Sequence, residues 1–110
     1  MKRYCLTLDL KEDKKLISEY DEWHTKVWPE VKHSIMTSGI NHMEIYRISA
    51  RLFMIMEVSE TFSFEEKERA DLNNHIVQEW EKLMWKYQQP LSFAKPGEKW
   101  VLMEKIFELK

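Results

Sequence analysis

Three features of the 110-residue sequence predict an α+β fold in the order β-α-β-β-α-β: a period-two run at the N-terminus, a pair of β-prone runs in the middle, and two helical stretches that alternate with them. In "RYCLTLDL" the side chains of Tyr4, Leu6, Leu8 and Leu10 fall on one face and those of Cys5, Thr7 and Asp9 on the other, the pattern of a half-buried strand. Asp13 is a helix N-cap. After it, Leu16, Tyr20, Val27 and Val31 recur at multiples of three and four residues, so an amphipathic helix follows and is expected to end near Thr25 or Lys26. Pro29 suits a first helical position and disfavours helix in the residue before it, so a second short helix is expected from Trp28-Pro29-Glu30 to Gly39.

"NHMEIYRIS" and "LFMIMEVS" are separated by about three residues around Ala50-Arg51, the spacing of an antiparallel hairpin. Ser63 and Glu66 form a capping box ahead of one long helical region, in which Ile76, Val77, Trp80, Leu83, Met84 and Tyr87 share an apolar face. The loop "KPGEK" then leads into "WVLMEKIFEL", whose aromatic and β-branched content predicts a closing strand. This is the split βαβ, or ferredoxin-like, arrangement: a four-stranded antiparallel sheet covered on one face by helices. The other face needs a cover. Apolar residues on it would be buried by stacking a second subunit sheet to sheet, so a homodimer is expected.

The length fits one domain, residues 1–110, large enough to hold a core without staples. The 17 basic and 19 acidic residues are interspersed and leave a net charge of -2, which offers no field to gather nucleic acid or an anionic membrane. With a single cysteine, no signal-peptide run and no stretch of membrane-spanning length, a cytoplasmic protein is expected. Cys5 lies in a strand without an activating partner and is read as packing.

The segment "EWHTKVWPE", residues 22–30, concentrates an imidazole and two indoles where a plain core helix would carry aliphatic residues. Tyr20 and His24, four apart, share a helix face, and imidazole exchanges protons near neutrality. Spacing alone fits a histidine packed beside a core tyrosine better than a catalytic pair. Trp80 sits on the apolar face of the later helix, where core packing is the commoner role. An indole can also shield the C–H face of a sugar and donate one hydrogen bond. The four histidines have no metal-ligand spacing, so no metal is expected, and two glycines cannot build a phosphate cradle.

Taken together, Tyr20-x-x-x-His24, Val27-Trp28-Pro29-Glu30, Gly39 followed by "MEIY" at 43–46, "LFMIMEV", "QEWEKLM" at 78–84 and "MEKIF" resemble the L-rhamnose mutarotase family over nearly the whole chain. The resemblance implies dimeric α/β barrels of ferredoxin-like subunits that interconvert the α and β anomers of a sugar without a cofactor. It implies that His24 is the proton donor, Tyr20 a substrate contact, and Trp80 the first of two adjacent sugar-binding tryptophans. Two positions depart from the pattern: Glu81 stands where the second tryptophan is expected, and Met43 where an aromatic substrate contact, commonly tyrosine, is expected.

The function expected is therefore that of an isomerase acting on a 6-deoxy-aldohexose, L-rhamnose first, with L-fucose or a related sugar close behind. The competing readings are a small dimeric-barrel monooxygenase, since fold does not dictate activity, and a non-catalytic sugar-binding module. Glu81, then Glu44 or Glu57, are the carboxylates that could serve as counter-base.

Overall fold

Strand β1 (Lys2–Leu10) sits inside the sheet, and its alternation sends Leu6, Leu8 and Leu10 into the core. In the computed structural model, which describes residues 2–110, it is followed by helices α1 (Lys14–Trp23) and α2 (Pro29–Thr37) and the hairpin β2 (Ile40–Ile48) and β3 (Arg51–Val58). Helices α3 (Phe64–Leu72) and α4 (His75–Trp85) and two short strands, β4 (Gln88–Gln89) and β5 (Val101–Leu102), complete the chain. The sheet order is β2-β3-β1-β4, all antiparallel, with β5 also paired to β1. That is the ferredoxin-like topology the sequence predicts.

Local chemistry sets the helix ends. The Asp13 carboxylate accepts from the N–H groups of Lys15 and Leu16, and Ser63 Oγ accepts from Glu66 N–H, so both predicted caps form. Pro29 opens α2 as its spacing required. Gly39, at φ +96°, turns the chain into β2, and a Cβ there would lie 3.0 Å from Ser59 Oγ.

Three boundaries differ from the expectation. Helix α1 stops at Trp23, where residues 24–26 close as a turn through Thr25 N–H to Glu22 O and Lys26 N–H to Trp23 O. The long helical region is two helices, because the Asn74 side chain accepts from Ile76 and Val77 N–H and starts α4 afresh. The closing strand shrinks to Val101–Leu102, and the edge of β1 beside it is shared with β4, which pairs with Asp9 and Leu10 while β5 pairs with Leu6 and Thr7.

Two clusters of buried side chains fill the space between sheet and helices. One contains Leu8, Leu10, Tyr20, Leu52, Trp80, Met84 and Tyr87; the other contains Leu6, Ile40, Met54, Met56 and Val58. Ile35, Ile45 and Trp100 pack against both and join them. On the opposite face of the sheet, half-buried Cys5, Thr7, Phe53 and Ile55 lie beside exposed Tyr46 and Ile48. Glu44 and Glu57 lie on that face too, engaged with Tyr46 and Arg3, which removes both from any site on the helix side.

Candidate functional site

The last turn of α1 carries both Tyr20 and His24. Tyr20 is buried, and His24, the C-cap residue, is half-buried with its ring centroid 4.4 Å from that of Tyr20. His24 Nδ1 lies 2.8 Å from the Tyr20 carbonyl oxygen. A carbonyl only accepts, so Nδ1 carries a proton and the neutral ring leaves its lone pair on Nε2. Nε2 has no hydrogen-bond partner among the described residues. The backbone that ends the helix thereby fixes which nitrogen can exchange a proton.

Trp80, from α4, forms the wall beside this ring. Its indole meets His24 edge-on at 5.9 Å, Trp28 at 5.1 Å and Trp23 at 6.2 Å, so the residues concentrated in 22–30 converge on a single aromatic side chain. Tyr87, just past α4, accepts from Trp23 Nε1 at 3.1 Å and donates to Glu19 Oε1 at 3.1 Å, tying α1 to the end of α4. On the other side, Arg47 holds Asp21 through two bonds of 2.8 and 2.6 Å and fastens α1 to β2.

Burial pushes the Tyr20 phenol up to about 12; Asp21 adds to the rise, and a hydrogen bond from Gln88 opposes it. Tyr20 is thus a protonated hydrogen-bonding group at neutral pH and not a base. Since the folded state holds this proton more tightly than the unfolded chain does, the contribution is intact below about pH 10 and is lost as pH climbs toward about 12. Denaturant titrations should show the wild type losing roughly 2 kcal/mol more than Tyr20→Phe across that interval. Parallel losses would mean that the phenol is not sequestered from solvent.

The two positions that depart from the sugar-site pattern are placed differently. Glu81 is one residue beyond Trp80 but flanks α3, where burial raises its pKa while Lys99, 3.8 Å away, lowers it. Burial lowers Lys99 in turn, and its ammonium also lies over the Trp85 ring at 4.8 Å. Met43 packs with the second cluster and not with the His24–Trp80 group. Gln88 is a residue sequence reasoning missed: it is 5% exposed and donates from Nε2 to Tyr20 Oη at 3.4 Å. Two open surface clefts are formed elsewhere, one around Asp9–Glu12 and the β2–β3 turn, the other around Thr7, Phe53, Phe93 and Met103; neither touches Tyr20, His24 or Trp80.

A family model described as L-rhamnose mutarotase matches residues 3–109. The chain belongs to the L-rhamnose mutarotase family. Its activity is accordingly that of a sugar mutarotase, an isomerase. The L-fucose mutarotase of Xanthomonas campestris pv. campestris is 42% identical over 99% of this chain and 89% of its own length. The L-rhamnose mutarotase of Shouchella clausii is 29% identical over 83% of this chain and 80% of its own. Among solved structures, L-rhamnose mutarotase from Formosa agariphila superposes with a TM-score of 0.71 at 21% identity over all of both chains. Tetracenomycin F2 cyclase from Streptomyces glaucescens, at 14% identity and a TM-score of 0.59 over 100% of this chain and 98% of its own, shares the fold.

Proposed function

We propose that Tyr20, His24 and Trp80 form the sugar site and that His24 Nε2 is its proton-transfer group. The observation that carries this reading is the 2.8 Å contact of Nδ1 with the Tyr20 carbonyl, which leaves Nε2 free beside an aromatic wall. In the reaction, the lone pair on Nε2 takes up a proton from water and donates it to the ring oxygen as the anomeric hydroxyl loses its proton to water and the C1–O5 bond opens. Rotation about C1–C2 presents the other carbonyl face; as O5 attacks C1 its hydroxyl proton returns to Nε2, and the hydronium formed on opening gives its proton to the new anomeric oxygen. Tyr20 orients the histidine, and Trp80 shields the apolar side of the ring. The proton count balances without a cofactor. Glu81 and Met43, placed against α3 and Lys99 and in the second cluster, are left out of this site.

The substrate class is a 6-deoxy-aldohexose, L-fucose or L-rhamnose, and the higher identity to the L-fucose enzyme ranks L-fucose first. Magnetisation-transfer NMR of anomer exchange tests the assignment with L-fucose, L-rhamnose and a 6-hydroxylated control. Faster exchange for the deoxy sugars is expected, greatest for L-fucose; equal acceleration of the control would remove the selectivity from the reading.

A second copy of this chain is the partner that fits the open sheet face. Tyr46, Ile48, Phe53 and Ile55 give that face an apolar strip, and Ile106, Phe107 and Leu109 project from the C-terminal segment, 76–93% exposed. Sedimentation equilibrium should give a dimer for the wild type and a monomer for Phe53→Glu combined with Ile55→Lys. A wild-type monomer at micromolar concentration would refute it. A cytosolic location fits the single cysteine.

A further inference from the structure

Among the described residues two side chains hold a buried polar atom without a hydrogen-bond partner, Asp71 Oδ1 on α3 and Gln88 Oε1, and of the two Gln88 is the one in contact with Tyr20. Gln88, on β4, lies opposite Leu10 in the β1 register, so its side chain shares the helix-facing side of the sheet with Leu10 and Tyr20. It is 5% exposed, and among the described residues it is the polar side chain buried most completely. Nε2 donates to Tyr20 Oη at 3.4 Å, while Oε1 is buried without a hydrogen-bond partner among the described residues. Rotating the amide by half a turn would let Oε1 accept from the Tyr20 hydroxyl and would strand the NH₂ group instead. In either orientation one polar atom is left over next to the phenol.

A buried amide with an idle atom is destabilising unless something else satisfies it, so such groups mark places where a ligand or water completes the bonding. The backbone around Gln88 is fixed: Lys11 N–H donates to Tyr87 O at 2.9 Å, and Tyr87 N–H donates to Met84 O at 2.9 Å. The Tyr87 hydroxyl is itself committed to Trp23 and Glu19. The side chain is therefore presented from a rigid base, at the phenol whose ring lies against His24.

We propose that Gln88 is a specificity residue of the mutarotase site, its amide bonding one hydroxyl of the sugar alongside Tyr20. This rests on the assignment of Tyr20 and His24 as that site. A neutral polyol is the ligand the pair suits, because an uncharged amide and a protonated phenol offer both a donor and an acceptor without any charge.

Anomer exchange of L-fucose and its 2-, 3- and 4-deoxy derivatives, measured as a function of sugar concentration for wild type, Gln88→Leu and Gln88→Met, tests the proposal. The apolar variants should raise the half-saturating concentration for L-fucose about tenfold, the size expected for one lost hydrogen bond in a dry site. On one of the deoxy sugars the penalty should vanish, since the hydroxyl that Gln88 grips is already missing. An equal penalty on all four sugars would reduce Gln88 to a prop for Tyr20, and no penalty on any would remove it altogether; either result overturns the proposal. Should the leucine variant fail to fold, Gln88→Met gives the same comparison with an unbranched side chain. His24→Asn on the same panel keeps the two questions apart: exchange that survives there defeats the underlying site assignment, whereas loss there with an unaffected Gln88→Met defeats the Gln88 proposal alone.

Discussion

His24→Ala should abolish accelerated anomer exchange, with a loss of about 10²- to 10⁴-fold, while leaving the protein folded. The size follows from what a positioned proton donor contributes, and the survival of the fold follows from where the ring sits. His24 is half-buried at the end of α1, and its removal forfeits a single side-chain bond to the Tyr20 carbonyl, worth about 1 kcal/mol. His24→Asn sharpens the experiment, because its amide nitrogen can still donate to that carbonyl but offers nothing equivalent to Nε2. If geometry at the helix end were all that mattered, the asparagine variant would keep most of the activity. Equal loss in both variants, with unchanged near-ultraviolet circular dichroism, assigns the chemistry to Nε2. Full acceleration in His24→Ala would remove the histidine from the reaction.

The largest effect on stability belongs to Trp80. Its indole is 8% exposed and stands edge-on to three rings, so Trp80→Ala empties the middle of the first cluster. A loss of about 3 to 5 kcal/mol is expected, which for a domain of this size lowers the melting temperature by at least about 12 °C. Trp85, on the same helix but 38% exposed and engaged mainly by Lys99, is the natural control; Trp85→Ala should cost less than about 1 kcal/mol. Comparable losses for the two would mean that the aromatic cluster does not hold the helices together. Trp80→Phe should recover part of the stability but not the sugar affinity, because benzene fills some of the volume while offering a smaller stacking face and no N–H.

The parts of the fold that were legible are those where a repeating pattern met a specific end signal. The alternation of Leu6, Leu8 and Leu10, the caps Asp13 and Ser63, and Pro29 each act through neighbours a few residues away, so the chain itself discloses them. The Asn73-Asn74 break escaped because apolar spacing runs on either side of it and the deciding bonds come from a single side chain. The last strand escaped for the opposite reason: Trp100, Met103 and Ile106 have β-prone chemistry, but only residues 101 and 102 find register on β1, the remaining edge being taken by the patternless pair Gln88-Gln89.

In the site, Tyr20, His24 and Trp80 can be named from spacing and resemblance, and the folded chain does bring them together. Met43, expected beside them, packs in the other cluster, since strand β2 carries it to a different part of the helix-facing side. Gln88 could not have been found from the sequence. Glutamine has no motif, and its significance arises only when a long-range turn buries it 68 residues along the chain from Tyr20.

The divided edge of the sheet sets where the fold opens first. β1 is joined to β3 through eight residue pairs, but to β4 and β5 through two each, with residues 90–100 looping away between them. Opening that margin breaks few ladder bonds, so amide hydrogens at 88–102 should exchange with deuterium well before those of the central hairpin. Because β4 carries Gln88, breathing of this seam would loosen its contact with the Tyr20 hydroxyl while the His24 ring stays held to the Tyr20 carbonyl.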